Sequence, residues 1–271
     1  MPLDEDAVND MLGEIHKQYG YDFSGYSVAS LMRRVNYVMN KSRLASFAEM
    51  RYKILHDEVF FNYFLEEITV NVTEMFRDPS FFKTLRTKVI PQLSTYPFIR
   101  IWHAGCATGE EVYTMAILLK EEGLLERSLL YATDINQSVL ETAQEGKFPI
   151  DQMKLYSKNY QEAGGKEEFS SYYTANYGKA LFNDELKQRM VFSTHNLVAD
   201  QSFNEFNLII CRNVLIYFNR DLQNKVLGLF HQSLPGLGYL TLGMKETIKF
   251  SSYEQKFKTL DNEQKIWQRK D

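Results

Sequence analysis

The run FNLIICRNVLIYF, residues 206–218, carries the clearest structural signal in the chain. Apart from Asn207, its first half is apolar, which is typical of a strand buried in a parallel sheet. The apolar run ends at Arg212-Asn213, and the aromatic pair Tyr217-Phe218 follows shortly afterwards. Open α/β sheets bind their ligands beyond the carboxyl ends of the strands, so the polar residues after this strand are candidates for a binding site.

The strand over 206–210 lies within residues 98–271, where strand-like and helix-like segments alternate. We predict strands over 99–104, 129–133, 191–194, 206–210 and 239–242, and helices over 110–121 and 222–234. Two later strands, 257–260 and 265–268, are joined by Asp261-Asn262 and predict an antiparallel hairpin. The alternation predicts an α/β domain over residues 98–271, with a doubly wound parallel sheet that ends in this hairpin.

Residues 1–77 instead predict a small all-helical domain. Apolar residues recur there with the period of a helix, first as a stripe from Val8 to Tyr19, which Gly20 ends. Three further stripes follow, and Asp78-Pro79 then begins a linker helix over residues 78–97. Within the α/β domain, residues 150–190 are polar and rich in tyrosine, so we expect an insertion that is either a subdomain or a mobile lid.

The composition is that of an ordinary soluble globular protein, with 44% hydrophobic and 24% charged residues. A net charge of −4 argues against a dedicated nucleic-acid binder. No apolar run in the sequence approaches the roughly 20 residues that a membrane helix needs, and the N-terminus lacks the layout of a signal peptide. We therefore expect a cytoplasmic protein without membrane insertion. The two cysteines, Cys106 and Cys211, favour reduced thiols, and the five histidines lack metal-ligand spacing, so no metal is expected.

The strand over 99–104 leads into the loop GCATG, residues 105–109, and then into a helix that begins with Glu110-Glu111. Gly105 lets the backbone approach a ligand closely. The paired glutamates would repel a pyrophosphate at this helix N-terminus, which argues against NAD and for a cationic ligand such as S-adenosylmethionine. The alternative is that the glutamates only stabilise the start of the helix.

Two further strands end in polar residues of the types that a nucleoside would need. Asp134 ends the strand over 129–133, where a carboxylate can accept both hydroxyls of a ribose. Asn196 follows the strand over 191–194 and suits the edge of an adenine. Together with Gly105 and Glu111, these residues predict a nucleoside-type cofactor site at one edge of the sheet.

The run CRNVLIYF, residues 211–218, resembles the signature of the CheR family, the S-adenosylmethionine-dependent methyltransferases of bacterial chemoreceptors. The likeness extends to ITVNVTEMFRD at 68–78, ATGEEVY at 107–113 and ATDI at 132–135, and the Asn-x-Thr-x-x-x-Arg spacing at 71–77 is highly specific. It implies a domain with a Rossmann-like methyltransferase sheet. It also implies that the protein uses S-adenosyl-L-methionine as cofactor and releases S-adenosyl-L-homocysteine as product. The residues that it implies as cofactor contacts are Asn71, Thr73, Arg77, Glu111, Asp134, Asn196, Leu197, Arg212 and Asn213.

The resemblance also implies the activity of a protein-glutamate O-methyltransferase that acts on the cytoplasmic domain of methyl-accepting chemoreceptors. Arg77 and Tyr217 would then lie beside the transferred methyl group. A basic face on the second predicted helix would dock the acidic receptor, although a solvated helix face is the simpler interpretation of charge alone. The residues of this predicted docking face are Arg33, Arg34, Lys41 and Arg43.

Two departures from the family pattern are visible in the sequence. Val112 stands where members often have proline, and residues 243–246 read Gly-Met-Lys-Glu where many members have Gly-His-Ser-Glu. Two other functions remain open on the sequence: methylation of another carboxylate or of a small molecule, and a signalling adaptor that binds the cofactor without turnover. The presence of both Arg77 and Tyr217 counts against the adaptor.

Overall fold

The structure, a computed structural model, describes residues 3–271. Its N-terminal part consists of the helices α1 (Glu5–Tyr19), α2 (Val28–Lys41), α3 (Phe47–His56) and α4 (Glu58–Thr69). Their apolar faces enclose one core, to which α1 contributes the predicted stripe that starts at Val8. Gly20 ends α1 in the left-handed conformation, with φ 81°, and its N–H returns to the carbonyl of His16.

A helical segment then connects this part to the sheet. It comprises α5 (Pro79–Thr84), a π-helical stretch over Leu85–Val89 and α6 (Ile90–Leu93). Pro79 begins α5 as the sequence predicts, because a helix leaves its first N–H groups without internal partners. Asp78, however, makes no capping hydrogen bond, and its carboxylate binds Arg212 instead.

The remainder of the chain alternates strands and helices. The strands are β1 (Ile99–Ala104), β2 (Ser128–Asp134), β3 (Lys147–Pro149), β4 (Tyr173–Asn176), β5 (Lys179–Phe182), β6 (Met190–Thr194), β7 (Leu208–Cys211), β8 (Tyr239–Leu242), β9 (Phe257–Asp261) and β10 (Ile266–Arg269). The longer helices between them are α7 (Glu110–Glu121), α8 (Gln137–Glu145), α9 (Met153–Glu162), α10 (Asp184–Lys187) and α11 (Arg220–Gln232).

The main sheet has seven strands in the order β6-β2-β1-β7-β8-β10-β9. The strands β6, β2, β1, β7 and β8 are parallel, whereas β10 runs antiparallel to both β8 and β9. Hydrophobic side chains cover both faces, as a parallel sheet between two helical layers requires. The predicted fold class, a Rossmann-like sheet with a terminal antiparallel hairpin after an all-helical part, is confirmed.

The tyrosine-rich segment between β2 and β6 builds a second, smaller sheet in the order β3-β5-β4. Its aromatic rings pack on one another and on α7, where the ring centroids of Tyr113 and Phe148 lie 5.3 Å apart. Tyr160 and Tyr172 point their hydroxyls at the buried carboxylate of Glu121 on α7. The tyrosines of this segment therefore serve packing. Its elements are short and surround one aromatic cluster, which explains why the sequence shows no clear period there.

The helical part contacts the sheet part directly through backbone hydrogen bonds. Tyr26, just before α2, forms an antiparallel bridge with Phe218, and the two rings meet edge to face at 5.0 Å. The N–H of Ser27 donates to the carbonyl of Tyr217 at 2.7 Å. The start of α2 is thereby fixed to the segment that follows β7. None of the helices within residues 3–271 has the length and apolarity needed to cross a membrane.

Candidate functional site

A cavity opens beyond the carboxyl ends of β1, β2, β6 and β7 and is closed on its other side by residues 69–77 and Tyr26. The space between these residues measures about 940 Å³, part of it open to solvent. All the cofactor and catalytic candidates from the sequence line it. They are Asn71, Thr73, Arg77, Gly105, Glu111, Asp134, Asn196, Leu197, Arg212, Asn213 and Tyr217.

Asp134 presents a buried carboxylate at the end of β2. One oxygen accepts the N–H of Ala107 at 2.9 Å and the other accepts the N–H of Asn136 at 3.0 Å. Burial raises the pKa of Asp134, although these backbone donors oppose the shift. Each oxygen keeps acceptor capacity beyond its single backbone bond, so the carboxylate can receive two further donors from a ligand in the cavity.

Glu111, at the start of α7, belongs to a buried polar array. Its two oxygens lie 3.0 Å from Nδ1 of His103 and 3.2 Å from Nη1 of Arg212. Burial pushes the pKa of Glu111 upwards, but the hydrogen bonds and charges of His103 and Arg212 outweigh it and hold the pKa below its usual range. Glu111 therefore remains an ionised carboxylate at the cavity wall, which is the charge that a cationic ligand group needs.

Glu110 behaves differently from its neighbour. It is buried and does not line the cavity. Its carboxylate accepts a hydrogen bond from the hydroxyl of Thr108, with 2.7 Å between Oγ1 and Oε2. Burial raises the pKa of Glu110. For Glu110, the simpler alternative, a local role at the start of the helix, agrees with these contacts. Gly105 also has a packing reason, because a Cβ there would lie 2.5 Å from Cγ2 of Val214.

The segment over residues 70–78 has a strained backbone where it passes the cavity. Val70, Phe76 and Asp78 all adopt the left-handed conformation, with φ between 52° and 59°. Such conformations are rare for bulky and β-branched residues and persist where surrounding contacts enforce them, often at functional sites. Asn71 is fixed locally, since its amide donates to the hydroxyl oxygen of Thr69 at 3.1 Å. Arg77 contacts the carbonyl of Val72 at 3.2 Å.

The loop after β6 holds Asn196 and Leu197 in place. The side-chain oxygen of Asn196 accepts the N–H of Val198 at 2.9 Å, and its backbone N–H donates to Asp200 at 2.7 Å. The amide nitrogen of Asn196 is therefore the side-chain group that is available to a ligand. Leu197 is 9% exposed and gives this part of the cavity an apolar wall.

Tyr217 ends a short 3₁₀ turn, Leu215–Tyr217, and is half-buried at the cavity. Burial raises the pKa of its hydroxyl, while the charges of Arg34, Arg33 and Arg77 oppose that shift. Tyr217 and Arg77 come from parts of the sequence 140 residues apart, yet both line the cavity, and the charge of Arg77 acts on the Tyr217 hydroxyl.

Tyr26 and His195 are among the cavity residues that were not identified from the sequence. Tyr26 comes from the helical part, and no signal marks it except its position just before a predicted helix. His195 follows β6, donates through Nε2 to the carbonyl of Gln201 at 3.2 Å, and leaves a buried Nδ1 without a protein partner. Its place directly before Asn196 at a strand end could have indicated it.

The four docking candidates lie outside the cavity lining, and the structure separates them into two pairs. Arg34 donates through Nε to the carbonyl of Glu67 at 2.7 Å, and Lys41 contacts the carboxylate of Glu67 at 2.6 Å. These two side chains hold α2 against α4 rather than pointing freely outward. Arg33 and Arg43 are exposed, and within residues 3–271 they form no ion pair.

Neither cysteine offers a reactive thiol or a metal ligand. Cys106 and Cys211 are free and buried, and burial raises the pKa of both thiols well above the usual value. The part of the chain from residue 3 to residue 271 contains no cluster of His, Cys, Asp and Glu side chains that could hold a metal. The polar groups around the cavity include the carboxylates of Glu111 and Asp134 and the side-chain amides of Asn71, Asn196 and Asn213, and they instead fit a ligand with a cationic group and a nucleoside.

Comparison with known proteins agrees with a cofactor site of this kind. Residues 71–266 match the CheR methyltransferase SAM binding domain, and residues 7–69 match the CheR methyltransferase all-alpha domain. The chain is 46% identical over 259 residues to Cher3 of Pseudomonas putida, a protein with a provisional methyltransferase name; the match covers 96% of this chain and 95% of that protein.

Two further relatives carry chemotaxis names. Chemotaxis protein methyltransferase 2 of Pseudomonas aeruginosa is 31% identical over 243 residues, covering 86% of this chain and 85% of that protein. The chemotaxis protein methyltransferase of Listeria innocua is 28% identical over 236 residues, covering 86% and 87%. The chain therefore belongs to the CheR methyltransferase family, and its cofactor is S-adenosyl-L-methionine.

Proposed function

We propose that this protein transfers a methyl group from S-adenosyl-L-methionine to glutamate side-chain carboxylates of chemoreceptors in the cytoplasm. The products are glutamate methyl esters and S-adenosyl-L-homocysteine, and the physiological role is sensory adaptation in chemotaxis. The proposal is carried by one observation: Arg77 and Tyr217 line the same cavity as two carboxylates of the kind that a cofactor needs, Glu111 and Asp134. The names of the relatives support the chemotaxis role.

The proposed reaction needs little acid–base machinery. A glutamate side chain has a reference pKa of about 4.3 and is ionised at neutral pH. Its oxygen displaces the sulfur of the sulfonium, one C–O bond forms, one C–S bond breaks, and the bonding pair stays on sulfur without any proton transfer. The work of the enzyme is then alignment of the carboxylate and partial removal of its water. Arg77 would orient the carboxylate, and the Tyr217 hydroxyl would lie near the sulfur.

The direct test is methyl transfer to receptors. Membranes of the source organism are incubated with this protein and S-adenosyl-L-methionine tritiated in the methyl group, and base-labile label in receptor bands is counted. We expect label that is released by mild base, because carboxyl methyl esters hydrolyse under those conditions. Base-stable label would indicate a different acceptor atom. Product binding without any label would favour the adaptor instead.

Asp134→Ala should weaken S-adenosyl-L-homocysteine binding by about 1.5–3 kcal/mol, the range for losing hydrogen bonds to a charged acceptor. Calorimetry on the folded variant measures the effect. Asp261→Ala is the matched control, since Asp261 is also a strand-end carboxylate that accepts a backbone N–H, from Gln264 at 2.9 Å, but it lies on β9 away from the cavity. Equal affinities of both variants would exclude Asp134 as a cofactor ligand.

The docking face is best tested at Arg33 and Arg43. Reversing Arg34 or Lys41 would also break the contact between α2 and α4 through Glu67. We expect the double variant Arg33→Glu/Arg43→Glu to raise the receptor KM by roughly tenfold at low salt, because charge complementarity governs encounter. The affinity for S-adenosyl-L-homocysteine should not change.

A charge-matched control separates docking from net charge. Lys258 and Lys270 are exposed near β9, an edge strand of the main sheet. Lys258→Glu/Lys270→Glu changes the net charge by the same amount. This control should keep the wild-type KM. An unchanged KM for the Arg33/Arg43 variant at both low and high salt would mean that the receptor docks on another surface.

A further inference from the structure

Glu246 is a buried carboxylate to which neither the sequence motifs nor the cavity lining assigns a role. It is 4% exposed and lies in the loop after β8. None of the ion pairs within residues 3–271 includes it. Burial raises the pKa of Glu246, and only backbone N–H groups oppose that shift. Burying a carboxylate without a cationic partner is costly, and an apolar side chain would serve packing alone at lower cost.

Two of the three backbone groups that this carboxylate binds belong to the loop after β7, beside the cavity, and the third belongs to Gly243 in the loop after β8. One oxygen accepts the N–H of Asn213 at 3.0 Å and also the N–H of Gly243. The other oxygen accepts the N–H of Ile216 at 3.2 Å. A single side chain therefore binds two residues of the loop after β7, Asn213 and Ile216, and fixes the turn that ends at Tyr217.

Two conformational features show how tightly this arrangement is built. Asn213 adopts the left-handed conformation with φ 63°, which asparagine adopts more readily than most residues, and its N–H is held there by Glu246. Gly243 permits the close approach, since a Cβ there would lie 2.8 Å from both the Asn213 nitrogen and a Glu246 oxygen. On the other side, the N–H of Ser27 holds the carbonyl of Tyr217. The loop is thus held between Glu246 and the start of α2.

We propose that Glu246 is a positioning residue. Its carboxylate sets the backbone over residues 213–217 and thereby directs the Asn213 amide and the Tyr217 hydroxyl into the cavity. Glu246 itself does not line the cavity. The part that concerns Asn213 requires only that the cavity binds the cofactor, whereas the part that concerns Tyr217 rests on the proposed methyl transfer.

The first test is product binding to Glu246→Gln. The amide keeps the shape but replaces one acceptor by an NH₂ group that faces backbone N–H groups. Glu121→Gln is the control, because the Glu121 side chain is also buried, at 1% exposed, and accepts the N–H of Lys166 and the hydroxyl of Tyr172, each at 3.0 Å, away from the cavity. Urea unfolding should show a loss of stability in both variants.

Calorimetry with S-adenosyl-L-homocysteine then distinguishes positioning from stability. We expect the dissociation constant to rise by about fivefold to tenfold in Glu246→Gln, as for the loss of one hydrogen bond, and to stay unchanged in Glu121→Gln. Wild-type affinity in Glu246→Gln, or an equal loss in both, would refute the proposal. If Glu246→Gln does not fold, Glu246→Asp, which keeps the charge but shortens the reach, is held to the same criterion.

The second test is a double-mutant cycle in the methyl-transfer assay. Tyr217→Phe should lower turnover by about tenfold in the wild-type background, and by clearly less when Glu246→Gln has already displaced the tyrosine. Equal factors in both backgrounds would refute the positioning of Tyr217. If the wild-type protein labels no receptor, the proposed methyl transfer fails, and product binding still decides the role of Glu246 at Asn213.

Discussion

Arg77→Ala should lower kcat/KM for the receptor by about 10²- to 10³-fold, the loss typical of removing one preorganised donor at a reacting charge. In the proposed reaction, the guanidinium fixes the substrate carboxylate. Among residues 3–271, the other arginine that lines the cavity is Arg212, and it is committed to protein groups. A charge-assisted contact of this kind gives orientation as well as energy. The binding of S-adenosyl-L-homocysteine should fall much less than turnover.

The expected effect is large because the backbone at Arg77 is held on both sides. The N–H of Phe76 donates to the hydroxyl of Thr114 at 3.0 Å, and the carbonyl of Arg77 accepts Nη2 of Arg212 at 3.2 Å. The left-handed residues Phe76 and Asp78 flank it. The position is thus determined by the fold before a substrate arrives, and removing the side chain discards an arrangement that water cannot replace.

Initial rates with tritiated S-adenosyl-L-methionine and receptor membranes measure this effect. Arg77→Lys should retain part of the activity, since it keeps the charge but loses the planar fork of the guanidinium. Arg100→Ala provides the control, because Arg100 is exposed on β1 and does not line the cavity. Turnover of Arg77→Ala within a few-fold of the control would remove Arg77 from the mechanism.

The fold was predictable because its signals are local. The apolar run of β1, the loop at Gly105 and the helix from Glu110 to Glu121 were predicted at the bounds that the structure has, since burial and turn geometry both act on neighbouring residues. The segment between β2 and β6 was less readable. Its strands have three or four residues, and its aromatic cluster packs residues that are distant in sequence, such as Phe76 with Tyr160 and Tyr113 with Phe182, so no period arises.

The site was predictable as a set of residues but not as a set of contacts. Strand-end positions and the family likeness identified the groups that line the cavity. They did not indicate that His103 would support Glu111, or that Tyr26 of the helical part would close the cavity. Both contacts join segments that only the tertiary fold brings together. The Glu67 contacts of Arg34 and Lys41 were missed for the same reason.

Arg212 is the residue whose loss should disturb both stability and the site. Its guanidinium contacts Asp78 at 2.5 Å, Glu111 at 3.2 Å and the carbonyl of Arg77, and its carbon Cζ lies 4.2 Å from the centre of the Phe81 ring. The side chain is only 3% exposed. One cation thus connects the end of β7 to the start of α7 and to the strained segment before α5.

We expect Arg212→Met, which keeps much of the volume, to lower the free energy of unfolding by about 3 kcal/mol. This lies at the lower end of the range for breaking a buried ion pair, because Asp78 is partly exposed and can recover water. Glu111 would keep only His103 as a partner, and the carbonyl of Arg77 would lose its donor. The affinity for S-adenosyl-L-homocysteine should therefore fall by about tenfold or more.

Arg86→Met is the matched control. Arg86 is 10% exposed, pairs with Glu121 at 2.6 Å and Glu122 at 2.5 Å, and also leaves a buried Nε without a partner, as Arg212 does. It binds the far end of α7, away from the cavity. Urea unfolding should show comparable losses of stability for both variants, whereas calorimetry should show weaker product binding only for Arg212→Met. Equal product affinities would reduce Arg212 to a structural ion pair, because a residue that shapes the site through Glu111 and Arg77 cannot be removed without a change in binding.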